Sequence, residues 1–320
     1  MMKKVTVLGG SGFVGSSVIA RLDQAGYQVK VLTRRREQAK HLILLPNVQV
    51  VEANIHEPAA LKAQLQGSDV VINLIGILHQ TRDNGFEKMH HQFPRRVAQL
   101  CDELHIPRLL HMSALQASVN GPSEYLRSKA AGDLAVMEFS KKLHVTIFRP
   151  SVIFGTRDRF INLFAKLIQV VPVLALAMPQ AKFQPIWVED VAAAMVNSVE
   201  ESATYGKTYE LGGPAIMTLQ QIIEAVMNTI HVQRPILGLN LKMSLMQGSF
   251  MQKLPIKLLS RDNVKSMQVD NVCQQPMANE LCVVPTDMFA VISGYLVKNN
   301  PRGAYDQFRA AAGRVINARR

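Results

Sequence analysis

From residue 4 to about 150 the chain alternates short, β-branched apolar runs with longer stretches whose apolar positions carry helical spacing. That alternation is the pattern of a parallel sheet covered by helices on both faces. The runs predict strands at Val5–Leu8, Gln28–Leu32, Val48–Val51, Val70–Leu74, Leu109–Met112 and Val145–Phe148. Between them Phe13–Gln24 reads as a helix that stops near Gly26, and Ala59–Leu65 as one that begins after Pro58, a residue suited to a first helical turn. Right-handed crossovers between such strands give an α/β fold with a doubly wound parallel sheet.

After Arg149-Pro150 the alternation degrades and returns only in pieces, as at Tyr209–Leu211 and in the helical stretch Leu219–Met227. The reading is a main domain over residues 1–150 and a smaller C-terminal lobe over 151–320, with elements of the sheet interleaved. Residues 236–259 are rich in Leu, Met and Ile, carry only Lys242, Lys253 and Lys257 as charges, and the chain ends in Arg314, Arg319 and Arg320. Such segments suit either an anionic membrane surface or the cover of a cleft. The longest apolar run, Leu167–Met178, contains Pro172 and falls short of the roughly 20 residues a membrane-spanning helix needs. Met1-Met2-Lys3-Lys4 opens like a signal peptide, but the apolar run behind it stops at Gly9, so it reads as the first strand.

Apolar residues at 48% and charged residues at 19% exclude a disordered, collagen-like or coiled-coil chain. Three cysteines, Cys101, Cys273 and Cys282, are too few and too scattered for a disulfide framework or a zinc site, which favours a reducing, cytoplasmic setting. Lys and Arg number 36 against 24 Asp and Glu, a net charge of +12 that admits anionic partners. The basic residues are spread along the chain, Trp187 is the single tryptophan, and no nucleic-acid-binding motif occurs, so a nucleic-acid partner is not expected.

The first strand runs directly into Gly9-Gly10-Ser11-Gly12-Phe13-Val14-Gly15, which opens a helix. Glycines at 9, 12 and 15 suit a tight turn, close approach of backbone to a pyrophosphate, and tight helix-to-strand packing, while the helix start offers free N–H groups to phosphate. Ser11, Phe13 and Val14 belong to the same turn, so residues 1–150 read as a Rossmann-type, NAD(P)-binding domain. Where an NAD binder commonly places an acid at the end of the second strand, this chain has Thr33-Arg34-Arg35-Arg36. Guanidinium groups attract a 2′-phosphate, so Arg34 and Arg35 predict NADP(H) in preference to NAD(H), with NAD(H) still admissible. By position in the fold, Asn54 is placed at the adenine edge and Asn73 with Gly76 beside the cofactor.

Ser113 lies just past the fifth strand, and Tyr125-Leu126-Arg127-Ser128-Lys129 begins the next helix after Gly121-Pro122-Ser123. Residues four apart share a helix face, so Lys129 is expected to sit beside Tyr125, lower the phenol pKa and bond the nicotinamide ribose. Tyr125 would then move the proton of a carbonyl or alcohol whose oxygen Ser113 holds.

Together these residues resemble the short-chain dehydrogenase/reductase superfamily in its extended or atypical branch. Five blocks carry a narrower likeness: Asp69–Leu78, Tyr125–Gly132, Phe148–Gly155, Phe183–Ala192 and Tyr209–Pro214. They are similar to bacterial relatives of the nucleotide-binding accessory subunit of mitochondrial complex I, and to proteins of the NAD-dependent epimerase/dehydratase type. The resemblance implies bound NADPH, an extended-type substrate lobe, Arg149 and Pro150 among the cofactor contacts, and a link to quinone metabolism or the respiratory membrane. In that family the cofactor can be structural. Asn54 stands where many extended members have Asp.

Two functions follow as alternatives. One is an NADP-dependent oxidoreductase or epimerase-like protein acting on a carbonyl or hydroxyl of a small molecule, with the apolar stretch Phe160–Phe183 suiting a hydrophobic one. The other is a non-catalytic, NADPH-containing accessory protein of a respiratory or quinone-biosynthetic assembly, peripheral at the inner face of the membrane. His79 and the adjacent His90-His91 lack Cys or carboxylate partners at ligand spacing, so no metal is expected and they read as surface residues, with His90 a candidate to line the cofactor cleft. Met243, Met246 and Met251 read as core packing or a lid.

Overall fold

The computed structural model describes residues 2–81, 84–252 and 259–296. Its main sheet is built from β1 (Lys4–Leu8), β2 (Gln28–Thr33), β3 (Val48–Glu52), β4 (Val70–Asn73), β5 (Arg108–Met112) and β6 (His144–Pro150), with ends within two residues of the sequence pattern. Between them run α1 (Phe13–Gln24), α2 (Pro58–Leu65), α3 (Phe93–Glu103) and α4 (Glu124–Met137). Beyond residue 150 come α5 (Ile161–Val170), β7 (Leu174–Ala177), α6 (Val188–Asn197), β8 (Lys207–Leu211), α7 (Leu219–Thr229), β9 (Ile236–Leu239), α8 (Leu241–Met251), α9 (Arg261–Ser266) and α10 (Met288–Leu296).

Seven strands pair in the order β8-β6-β5-β4-β1-β2-β3, all parallel. This is a Rossmann-type doubly wound sheet. The winding reverses between β1 and β4, and the crevice beyond their carboxyl ends is where such sheets bind ligands. Alternation along β1 explains the two buried faces. Val5 and Val7 pack with Val18, Ile19 and Leu22 of α1, while Leu8 packs on the opposite side with Leu61, Phe93, Val97 and Val145. Strand β8 and helix α6 come from beyond residue 150, yet they complete the sheet and cover α1.

A buried arginine secures that late addition. Arg108 donates to the carbonyls of His144 and Ser198 at 2.8 and 2.7 Å and to Thr204 Oγ1 at 2.8 Å, with its guanidinium 4.6 Å above the Tyr205 ring. The rest of the chain makes a second core around Ile161, Ile168, Leu174, Ile222, Ile223, Val226 and Ile292. On its outside, α8 leaves Met243, Met246 and Phe250 exposed, so the first two methionines are not core packing. Lys253, Lys257, Arg314, Arg319 and Arg320 lie outside the described residues. No described helix is long and apolar enough to cross a membrane.

Candidate functional site

The glycine turn has the geometry its spacing predicts. Gly9 adopts φ +81°, and the Gly12 amide donates to the Gly9 carbonyl at 3.1 Å. A Cβ on Gly15 would stand 2.5 Å from the Gly9 oxygen and 2.6 Å from Gly10 Cα, so α1 meets the turn more closely than any side chain allows. Gly12 precedes α1 in extended conformation with no side-chain cap, leaving the first N–H groups, from Phe13 and Val14 onward, available to an anion. Ser11 sits half-buried within this turn. The Phe13 ring lies against Gly155 of the opposite lobe.

Arg34 and Arg35 are exposed after β2, at the crevice edge. Sequence reading missed their company. The His56 imidazole is held below its ordinary value by burial and then by the charges of Lys88, Arg34 and Arg96, which places those cations together. Asn54 Oδ1 accepts the His56 amide at 3.1 Å and shapes the turn after β3.

At the other end, Asn73 Oδ1 accepts the Ile75 amide at 3.2 Å, which aims its amide nitrogen at His111 Nδ1, 3.1 Å away. Gly76 then passes so close to α4 that a Cβ there would lie 3.2 Å from Lys129 Nζ. Ser113 is 4% exposed, and its hydroxyl is buried facing the Asp133 carboxylate without a hydrogen bond of good geometry. Lys129 Nζ donates to the Met112 carbonyl at 3.2 Å, and Tyr125 packs edge-on against the rings of Phe86 and His90. Lys129 therefore bridges Gly76, after β4, and Met112, just before Ser113 at the end of β5, with Tyr125 one turn earlier on the same helix.

One electrostatic expectation is corrected. The Tyr125 phenol is pushed up to about 12, first by burial and then by the Asp133 carboxylate; Lys129 does not bring it down. Lys129 itself is lowered to about 8 by burial, against the opposing pull of Asp133. His90 is also corrected: it is 1% exposed, not a surface residue, while its neighbour His91 is half-exposed and pairs with Glu87 at 2.8 Å.

Asp133, four residues beyond Lys129 on the same helix, is the buried acid of the site. Arg149 grips its Oδ2 through Nε and Nη2, both at 2.8 Å, yet burial still raises the carboxyl above its ordinary value. Arg149 is thereby committed to α4, and the Pro150 carbonyl accepts the Leu115 amide at 2.9 Å. His111 Nε2 faces Asp133 Oδ1 across 3.9 Å. The helix start is held from far along the chain: Asp262 accepts the Glu124 and Tyr125 amides at 2.8 and 3.0 Å, placing a carboxylate where the helix dipole favours it. The spacing from Lys129 could have revealed Asp133; Asp262 left no local signal. Among the described residues no group of three His, Cys, Asp or Glu is arranged to hold a metal.

The glycine cradle, the free first amides of α1 and the Gly76 approach to Lys129 all fit a dinucleotide. Fold and site together define a Rossmann-type nucleotide-binding protein of the extended short-chain dehydrogenase kind. The model of the NAD dependent epimerase/dehydratase family matches residues 5–212, and the chain belongs to that family. It is 36% identical over 235 residues to the NADH dehydrogenase [ubiquinone] 1 alpha subcomplex subunit 9 of Arabidopsis thaliana, covering 71% of this chain and 58% of that protein. It is 27% identical to the NADH-ubiquinone oxidoreductase 40 kDa subunit of Neurospora crassa, covering 94% and 80%. Thus the chain spans about three-fifths of the Arabidopsis relative. Among solved structures, the NADPH-dependent quinone oxidoreductase of Escherichia coli complexed with NADPH superposes with a TM-score of 0.70 at 17% identity, over 89% of this chain and 97% of the other, which is a likeness of fold.

The Lys129 shift has a stability consequence. Its pKa is lowered from 10.5 to about 8, so between those values the unfolded chain binds more proton than the folded one. Stability at this position therefore rises as pH climbs from about 8 to 10.5. Urea unfolding of wild type and Lys129→Met across that window should show wild type gaining on the variant; a constant difference would refute the shift.

Proposed function

We propose that the protein binds NADP(H), with NAD(H) as the weaker ligand, and reduces a carbonyl group on a small, largely apolar substrate. The observation that carries this reading is the placement of Tyr125 and Lys129 on one face of α4, with Lys129 Nζ reaching both the Gly76 backbone and the carbonyl of Met112, the residue before Ser113. A phenol near 12 beside an amine near 8 is protonated at neutral pH next to a charged lysine. That is the state required to give a proton to a carbonyl oxygen that is gaining charge. Ser113 positions that oxygen, Tyr125 gives the proton, and Lys129 stabilises the resulting phenolate and bonds a ribose hydroxyl. A reduced nicotinamide, when bound, supplies hydride. At the far end Arg34 and Arg35, with Lys88, Arg96 and His56 nearby, suit a 2′-phosphate. Half-buried Phe160, Phe164, Phe183 and Trp187 offer the second lobe an apolar lining.

Two measurements test this. Arg34→Ala should weaken NADPH about tenfold and leave NADH nearly unchanged in an equilibrium titration; equal losses would sink the phosphate-reading role. Tyr125→Phe should cut NADPH-dependent carbonyl reduction by about 100-fold or more with cofactor affinity within about twofold. Turnover that survives in this variant assigns the proton to another group.

A second reading, a respiratory or quinone-linked accessory protein at the inner face of a membrane, is favoured by a specific observation. No acidic residue occurs between Asp158 and Glu189 or between Glu224 and Asp262, and the latter stretch presents Leu237, Met246 and Phe250 outward. An apolar face on a stretch whose own charges are all basic suits anionic lipid. Met246→Glu combined with Phe250→Glu should abolish sedimentation with phosphatidylserine vesicles; undiminished sedimentation would refute that face.

A further inference from the structure

His90 is used by none of the roles above, yet it is among the most constrained side chains of the site. It sits on a π-helical turn, Glu87–Gln92, a rare geometry that recurs at functional sites. Its ring stacks on Phe86 at 5.3 Å and meets Tyr125 edge-on at 5.4 Å. Nε2 faces the Ile77 amide at 3.0 Å, and because an amide can only donate, Nε2 carries no proton. The proton is therefore on Nδ1, which faces Ser128 Oγ at 2.9 Å, and Ser128 gives its own proton to the Tyr125 carbonyl at 2.8 Å. Ile77 N–H, His90, Ser128 and Tyr125 thus form a chain in which every donor and acceptor is assigned.

The geometry points to His90 as a positioning residue: it ties the Gly76-Ile77 loop to the Tyr125–Lys129 turn of α4 and thereby sets the width of the nicotinamide end of the cleft. The inference rests on the cofactor reading above. Gly76, between the two anchors, is where the fit is tightest: a Cβ there would lie 3.2 Å from Lys129 Nζ and 3.7 Å from His90 Nε2. Burial, with the neighbouring Lys129 and His111, holds the imidazole at about 2, so the tautomer persists through the neutral range. Protonation of Nε2 would expel the Ile77 amide.

The test compares two ligands. NADPH spans the whole cleft, whereas adenosine 2′,5′-bisphosphate occupies only the adenosine end. His90→Phe, which keeps the ring and its stacking, should weaken NADPH about tenfold and the bisphosphate less than about twofold. His90→Gln, which restores an acceptor for Ile77, should recover most of that loss. Parallel losses for both ligands, or none for NADPH, would overturn the inference while leaving the cofactor reading intact. Wild type that binds neither ligand would overturn both. Should the variants fail to fold, nitrogen NMR of the wild-type imidazole decides: a protonated Nδ1 and bare Nε2 that do not titrate between about pH 5 and 9 are expected, and a protonated Nε2 refutes the chain.

Discussion

A methyl group at position 132 would lie 1.9 Å from the carbonyl oxygen of His90. Nothing larger than a hydrogen fits there, so α4 and the π-helical turn meet backbone to backbone. That contact sets how near Tyr125 and Lys129 come to the loop after β4, and it buries His90 deeply enough to remove its charge. It also brings Lys129 within reach of the Met112 carbonyl at the end of β5. The Tyr125–Lys129 face of the helix is thus located by an absent side chain one turn further along that same face.

Charge around this contact is rationed. Asp133 serves Arg149 directly and Lys129 and His111 through space, whereas both histidines stay neutral because burial and neighbouring cations make a further proton costly. The two buried imidazoles therefore act as fixed hydrogen-bond partners, while Lys129 is brought down toward neutrality. The deep placement that lowers the lysine also raises the phenol, because burial disfavours the charged form of each.

The sheet was legible because parallel strands buried on two faces must be apolar almost throughout, and the glycine turn because packing at Gly15 tolerates no alternative. Tyr125 and Lys129 were legible through the four-residue repeat of a helix face, and Ser113 through its place at the end of an apolar strand run. His90 was not: two adjacent histidines carry no periodic signal, and a π-helical turn breaks the spacing on which burial is judged. The misjudged Tyr125 shift has a similar origin, since sequence spacing gives the neighbour at +4 but not the depth at which both groups lie. Asp133 stood one repeat further on. Arg108 and Asp262 act across tens of residues or more and could emerge only from the assembled chain.

Asp262 adds a matter of timing. A ribosome has delivered all seven strands of the main sheet once residue 211 is made, so the framework of the site precedes the remainder of the chain. The first amides of α4 receive their carboxylate only some fifty residues later, from a segment that packs against α8. During synthesis the nucleotide cradle is therefore the earlier feature and the finished start of the tyrosine-bearing helix the later one, which orders the two halves of one site in time as well as in space.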